Sequence, residues 1–217
     1  MTPERPAKPA AQALLDCYIG SMSVPADPLT LLSKALDQTG AIIAAIREDQ
    51  RTLPTPCRSW DVEALTQHLL VDLEQFTVRA RGGTPDWSTA KAGEPESNVT
   101  EAYRKGASEL LAAWRQAGDL SGTVELPGMG KVPARFPVDQ QIAEFAVHAW
   151  DLTTAAGQST DLDPEVGAAA LGWASKALRP EFRGDEADGK AFGIEVSIPA
   201  DAPVYDRLAA FFGRTPG

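Results

Sequence analysis

VDQQIAEFAVHAWDLTTAAG, residues 138–157, is the stretch on which the fold turns. Ile142, Phe145, Val147, Ala149 and Leu152 place apolar groups in successive helical turns, and Gly157 supplies a stop, which predicts a helix from Val138 to about Ala156. Glu144 and His148 stand four residues apart in that helix, so their side chains share a face one turn apart and can converge on one ion. Asp151 follows His148 by three residues and Glu144 by seven, on the same face. It is the candidate catalytic residue, with three roles open to it: orienting a ligand imidazole, acting as a base, or completing the charge pattern of the helix. Orientation is the favoured role.

Only one other histidine occurs in the 217 residues, His68. It lies in a second amphipathic run, where Val62, Leu65, Leu69, Leu73 and Phe76 repeat every three or four residues. A helix there, facing the first, would supply a third ligand. Two neutral imidazoles and a carboxylate suit a borderline divalent metal, and three protein ligands leave positions open for water or substrate, as catalytic sites do. A plainer reading stands beside this one. Glu-x-x-x-His is an ordinary helical spacing for a solvated pair, and His68 would be an ordinary core histidine; spacing alone leans that way.

Outward from these two runs the other elements follow. Pro28 in a first turn, then Leu29, Leu32, Leu36, Ile43 and Ile46, predict a helix to about Asp49. Pro54 and Pro56 force an extended turn before the His68 helix, which Ser59 or Asp61 can cap and which ends before Gly82-Gly83. After a polar loop to about Glu96, an Asn98 cap with Glu101 three residues on opens a third helix through Tyr103, Leu110, Leu111 and Trp114 to Gly118. Residues 120–136 read as a short hairpin or irregular crossover around Pro127-Gly128-Met129-Gly130. Asp163-Pro164 starts a fifth helix, ended by Pro180. The alternation Phe192, Ile194, Val196, Ile198 predicts one short strand, and Pro203–Phe212 a last short helix. The expected architecture is mainly α: a four-helix bundle with an additional helix and a short C-terminal strand and helix segment.

Composition narrows the partners. At 217 residues with 43% hydrophobic and 23% charged residues, the chain reads as one soluble domain over residues 27–217, with a C-terminal extension. Residues 1–26 read as a flexible N-terminal extension, and Met22 as an alternative start. A formal net charge of -10 without a basic stripe argues against nucleic acid. Apolar runs are too short to span a bilayer. Two cysteines, Cys17 and Cys57, make no disulfide framework, which points to the cytoplasm; Cys57 reads as a small buried hydrophobe rather than a ligand or reactive thiol. Trp60, Trp114, Trp150 and Trp173 read as packing, and Trp87 as a lid. Arg58, Lys131 and Arg135 are the candidates for holding an anionic substrate.

LPTPCRSWDVEALTQHL, residues 53–69, resembles the lead into the second helix of proteins similar to the N-terminal domain of mycothiol-dependent maleylpyruvate isomerase, of the DinB-like superfamily. Glu144-Phe145-Ala146-Val147-His148-Ala149-Trp150-Asp151 resembles the Glu-x-x-x-His-x-Trp-Asp element of the same family, and the likeness runs over roughly residues 28–215. The resemblance implies a DinB-like bundle in which His68, Glu144 and His148 hold a divalent metal, zinc first and nickel, iron or manganese after it. It implies a small-molecule thiol, mycothiol or similar, as cosubstrate beside an electrophilic substrate, hence a thiol S-transferase or isomerase; a homodimer is compatible. The rival expectation is a non-catalytic, metal-stabilised bundle serving as a binding or dimerisation module. One departure stands out: the isomerase carries a separate C-terminal domain that helps build its active site, and the segment after the fifth helix here is short and different. Thiol chemistry is therefore a stronger expectation than maleylpyruvate itself as substrate.

Overall fold

A computed structural model of the chain describes residues 27–58, 60–86, 98–126, 130–178, 180, 183–184 and 192–217. Asp27 caps α1 (Pro28–Ala44) by accepting from Thr30 N–H at 2.9 Å. The helix stops short of the predicted Asp49. The chain leaves helical geometry after Ala44 and resumes as a single 3-10 turn, Glu48–Gln50. Gln50 holds that turn in place: its side chain accepts from Arg47 N–H (2.9 Å) and donates to the Ala156 carbonyl (2.7 Å).

Helix α2 (Val62–Ala80) is capped by Asp61, which accepts from Ala64 N–H, and α3 (Val99–Ala117) by Asn98, which accepts from Glu101 N–H. The predicted hairpin forms as β1 (Thr123–Leu126) antiparallel to β2 (Gly130–Pro133), with Val124 opposite Val132. Helix α4 (Phe136–Ala156) begins two residues before the expected Val138, because Pro137 is suited to a first turn. Helix α5 (Pro164–Ala177) follows an Asp163 cap, and α6 (Val204–Phe211) closes the chain.

Four helices contact one another in a ring, α1–α3–α2–α4, with α5 packed on α4 and α6 on α5 and α4. The predicted bundle with added C-terminal helices is thus the observed fold. Helix α4 lies at its centre, with nearly every residue from Gln141 to Thr153 buried. Phe145 packs edge-on against Phe76 of α2 and Tyr103 of α3. The predicted strand at 192–198 does not form. An extended segment becomes a strand only beside another, and among the described residues it has one bridge, Arg183 to Phe192. Val196 N–H instead donates to the Ala210 carbonyl of α6 (2.9 Å), and Ile194 is 73% exposed. Among the described residues no helix is long and apolar enough to cross a membrane. The expected extension 1–26 and the Trp87 lid lie outside the described residues.

Candidate metal centre

The α2–α4 seam carries the centre. His68 comes from the second turn of α2, Glu144 and His148 from consecutive turns of α4, and one ligand atom from each lies within 4.8 Å of the other two. Glu144 Oε1 sits between the imidazoles, 3.0 Å from His148 Nε2 and 3.4 Å from His68 Nε2. The rings stand edge to face, 5.3 Å between centroids. His148 Nδ1 lies 3.0 Å from Asp151 Oδ2. With Nδ1–H donated there, loss of the proton that Nε2 shares with Glu144 would leave the Nε2 lone pair facing the cluster, the tautomer a metal-bound histidine needs.

Without an ion, the charges of the cluster pair with one another. Burial pushes the Glu144 pKa up, but hydrogen bonds from His148 and His68 outweigh it and hold the carboxyl well below the usual range. Burial pulls His148 down, yet its bonds to Asp151 and Glu144 raise its pKa to about 9. Asp151 is fully buried; that burial is overcome by His148 and by the Arg214 guanidinium, and its pKa is lowered. Asp72, one turn beyond His68, behaves oppositely: burial, then the charge of Glu144, push it well above the carboxylate range, with His148 acting against them. Its Oδ2 lies 3.1 Å from His68 Nε2 but makes no hydrogen bond of good geometry among the described residues. Two imidazoles with an ionised carboxylate between them, and the leftover oxygen of the buried Asp72 carboxyl beside His68, form a donor set whose chemistry fits a divalent cation in place of the His148 proton.

Trp60, on the turn leading into α2, roofs the centre. Its ring lies 4.2 Å from that of His68, tilted by 30°, and 6.0 Å from that of His148. Thr55 braces the turn, its hydroxyl donating to the Trp60 carbonyl at 2.7 Å. In front of the ligands opens a cavity of about 630 Å³, walled by Trp60, Val147, Phe192, Val196 and Phe212, with Cys57 and Arg58 at the α2 turn and Arg214 opposite. His68 and Glu144 keep about a fifth of their side-chain surface open, whereas His148 is almost closed off.

Of the residues singled out in the sequence, the fold brings His68, Glu144 and His148 together and sets Asp151 directly behind His148. Arg58 reaches the cavity. Lys131 and Arg135 are not in its lining, and Arg135 is engaged by Asp139 at 2.7 and 2.8 Å. Trp60 packs on a ligand ring rather than on the core alone. Sequence reading missed two residues. Asp72 had a usable signal, its i+4 spacing from His68 on one helical face. Arg214, whose Nε and Nη2 hold both Asp151 oxygens at 3.1 and 2.8 Å from 63 residues away, has no local spacing that would tie it to the centre.

Comparison with known proteins agrees with this picture. The family described as the mycothiol maleylpyruvate isomerase N-terminal domain matches residues 32–153. Two relatives from Mycobacterium tuberculosis, the uncharacterized protein Rv0738 of strain H37Rv and the uncharacterized protein MT0763 of strain CDC 1551, are each 35% identical over 191 residues, covering 87% of this chain and 98% of theirs. No solved structure matches. With the helical bundle, the His-Glu-His cluster and the matched segment in agreement, the chain belongs to the mycothiol maleylpyruvate isomerase N-terminal domain family, a DinB-like helical fold.

Proposed function

We propose that this protein is a metal-dependent thiol transferase in which His68, Glu144 and His148 hold a divalent ion, zinc in first place, and a low-molecular-weight thiol of the mycothiol class attacks an electrophile in the adjoining cavity. One observation carries the reading: the ligand cluster lies at the wall of a cavity of about 630 Å³, within the usual size range of small-molecule sites, rather than sealed in the core. A purely stabilising ion would have no need of that space. His68, Glu144 and His148 would hold the ion, which would supply the acidity that turns a bound thiol into a thiolate at neutral pH.

The protein's own groups do the rest. Asp151 fixes the His148 ring by accepting from Nδ1, so that Nε2 keeps its direction. Trp60 stacks on His68 and limits its rotation. Val147, Phe192, Val196 and Phe212 exclude water and favour an apolar body on the electrophile, while Arg58 at the α2 turn offers a cation to an acidic substituent. Asp151 is a positioning group in this reading, since His148 and Arg214 occupy its oxygens.

The test is thiol consumption by zinc-loaded protein with mycothiol, and separately glutathione, against electrophiles that include maleylpyruvate and an activated aryl halide. Zinc-dependent consumption of mycothiol, abolished by a chelator, is the expected result. Stoichiometric zinc binding with no thiol turnover on any electrophile would instead favour the metal-stabilised bundle.

A further inference from the structure

Helix α6 ends in a turn that points a side chain back into the bundle. Gly213 adopts φ +87°, its N–H donates to the Ala210 carbonyl at 3.0 Å, and the Arg214 N–H donates to the Ala209 carbonyl at 2.9 Å. This is the glycine-terminated helix stop in which the two N–H groups after the helix turn back onto carbonyls of its last turn. A Cβ on Gly213 would stand 2.6 Å from the Gly193 Cα, so two glycines lie back to back and let the turn settle flat on the extended 192–196 segment. Arg214 then runs inward. Its Nε and Nη2 engage both oxygens of Asp151, its Nη1 donates to the Phe212 carbonyl at 3.1 Å, and its side chain is only 10% exposed.

Asp151 therefore has a bidentate guanidinium on one side and His148 Nδ1 on the other, and Oδ2 accepts from both. Planar two-point contact fixes the carboxylate in orientation as well as position, which a lysine could not do. We infer that Arg214 is a positioning residue of the metal centre, acting through Asp151 on His148, and that the C-terminal segment and the ion therefore each favour the bound state of the other. The inference rests on the reading of His68, Glu144 and His148 as metal ligands. It extends beyond the family match, which ends at residue 153. Phe192, Val196, Phe212 and Arg214 also wall the cavity, so the contact that tightens the ion is made by the segment that shapes the substrate space. Coupling of this kind is reciprocal: whatever factor docking of the segment adds to ion affinity, the ion adds to docking.

Two measurements on the full chain test it. Zinc affinity is determined by competition with a chromophoric chelator for the unaltered protein, Arg214→Met, Arg214→Lys and Glu144→Ala. Amide hydrogen exchange is followed over residues 204–217 with and without zinc. Arg214→Met should weaken zinc binding by roughly 10- to 100-fold with helical circular dichroism retained, the effect expected for loss of a group that orients a ligand. Arg214→Lys should fall between. Zinc should slow exchange over 204–217 in the unaltered protein, and should not in Glu144→Ala. Zinc affinity unchanged in Arg214→Met, or exchange in the unaltered chain indifferent to zinc, overturns the inference and leaves the ligand assignment standing. If the unaltered protein takes up no zinc at all, the ligand assignment itself falls, and this inference with it. Should Arg214→Met fail to fold, the exchange experiment on the unaltered chain decides alone.

Discussion

His148 has a carboxylate at each ring nitrogen, Glu144 at Nε2 and Asp151 at Nδ1, both at 3.0 Å. Its pKa of about 9 exceeds the ordinary 6.5, so the protonated ring stabilises the metal-free fold. That contribution is complete below the ordinary value and is lost as pH rises through about 9. Ion binding needs the neutral ring and must displace that proton, so zinc affinity should climb by up to about tenfold per pH unit between about 7 and 9 and then level off. Calorimetric titration in buffers of differing ionisation enthalpy reads the released proton directly; a flat affinity with no proton released would show that the His148 ring is already neutral in that window. Substitution separates the two roles on this helix face. His148→Ala leaves two protein ligands, and metal content should collapse while helicity persists. Asp151→Asn keeps all three ligands and should retain the ion with affinity reduced by roughly 10- to 100-fold. Metal analysis after gel filtration distinguishes them, and full zinc occupancy in His148→Ala would return both histidines to plain packing.

At the scale of elements, α4 does two jobs with two faces. Phe145 turns toward Phe76 and Tyr103 in the core, while Glu144 and His148 turn toward the cavity, so the apolar contacts hold the ligands at a fixed height along the α2–α4 seam. The other decisive element is the stop after α6. Gly213→Ala puts a side chain at a positive φ and drives its Cβ into Gly193. It should destabilise the fold by about 1 kcal/mol or more from the backbone alone, and it should weaken zinc binding in the manner of Arg214→Met, because the turn that aims Arg214 is lost. Chemical denaturation and chelator competition on one preparation check both halves; lost stability with undiminished zinc affinity would show that the turn and the centre are independent.

For the molecule as a whole, most folding energy comes from apolar burial in one core shared by all six helices, and the described core starts at Leu31. A chain beginning at Met22 should therefore melt within a few degrees of the full chain and bind zinc equally well; a large fall in melting temperature would mean that the first 21 residues dock on the bundle. Zinc itself should raise the melting temperature in a concentration-dependent way, since it binds the folded ligand set and not the separated helices.

The sequence by itself determined which segments become helices and which of their faces carry chemistry. Periodicity, Asp61, Asn98 and Asp163 as caps, and the Glu144–His148 spacing are local properties, set within a few residues of chain and readable in one dimension. It also held the Asp72 signal, at the same i+4 spacing from His68. Tertiary structure alone decided the rest. That His68 meets Glu144 rather than solvent depends on how α2 packs against α4, and that Arg214 meets Asp151 depends on α6 docking on α4 and on two glycines allowing a close approach. The same cause explains the strand that failed at 192–198: alternation gives a segment two faces, but a ladder needs a neighbour, and here the neighbour is the end of a helix.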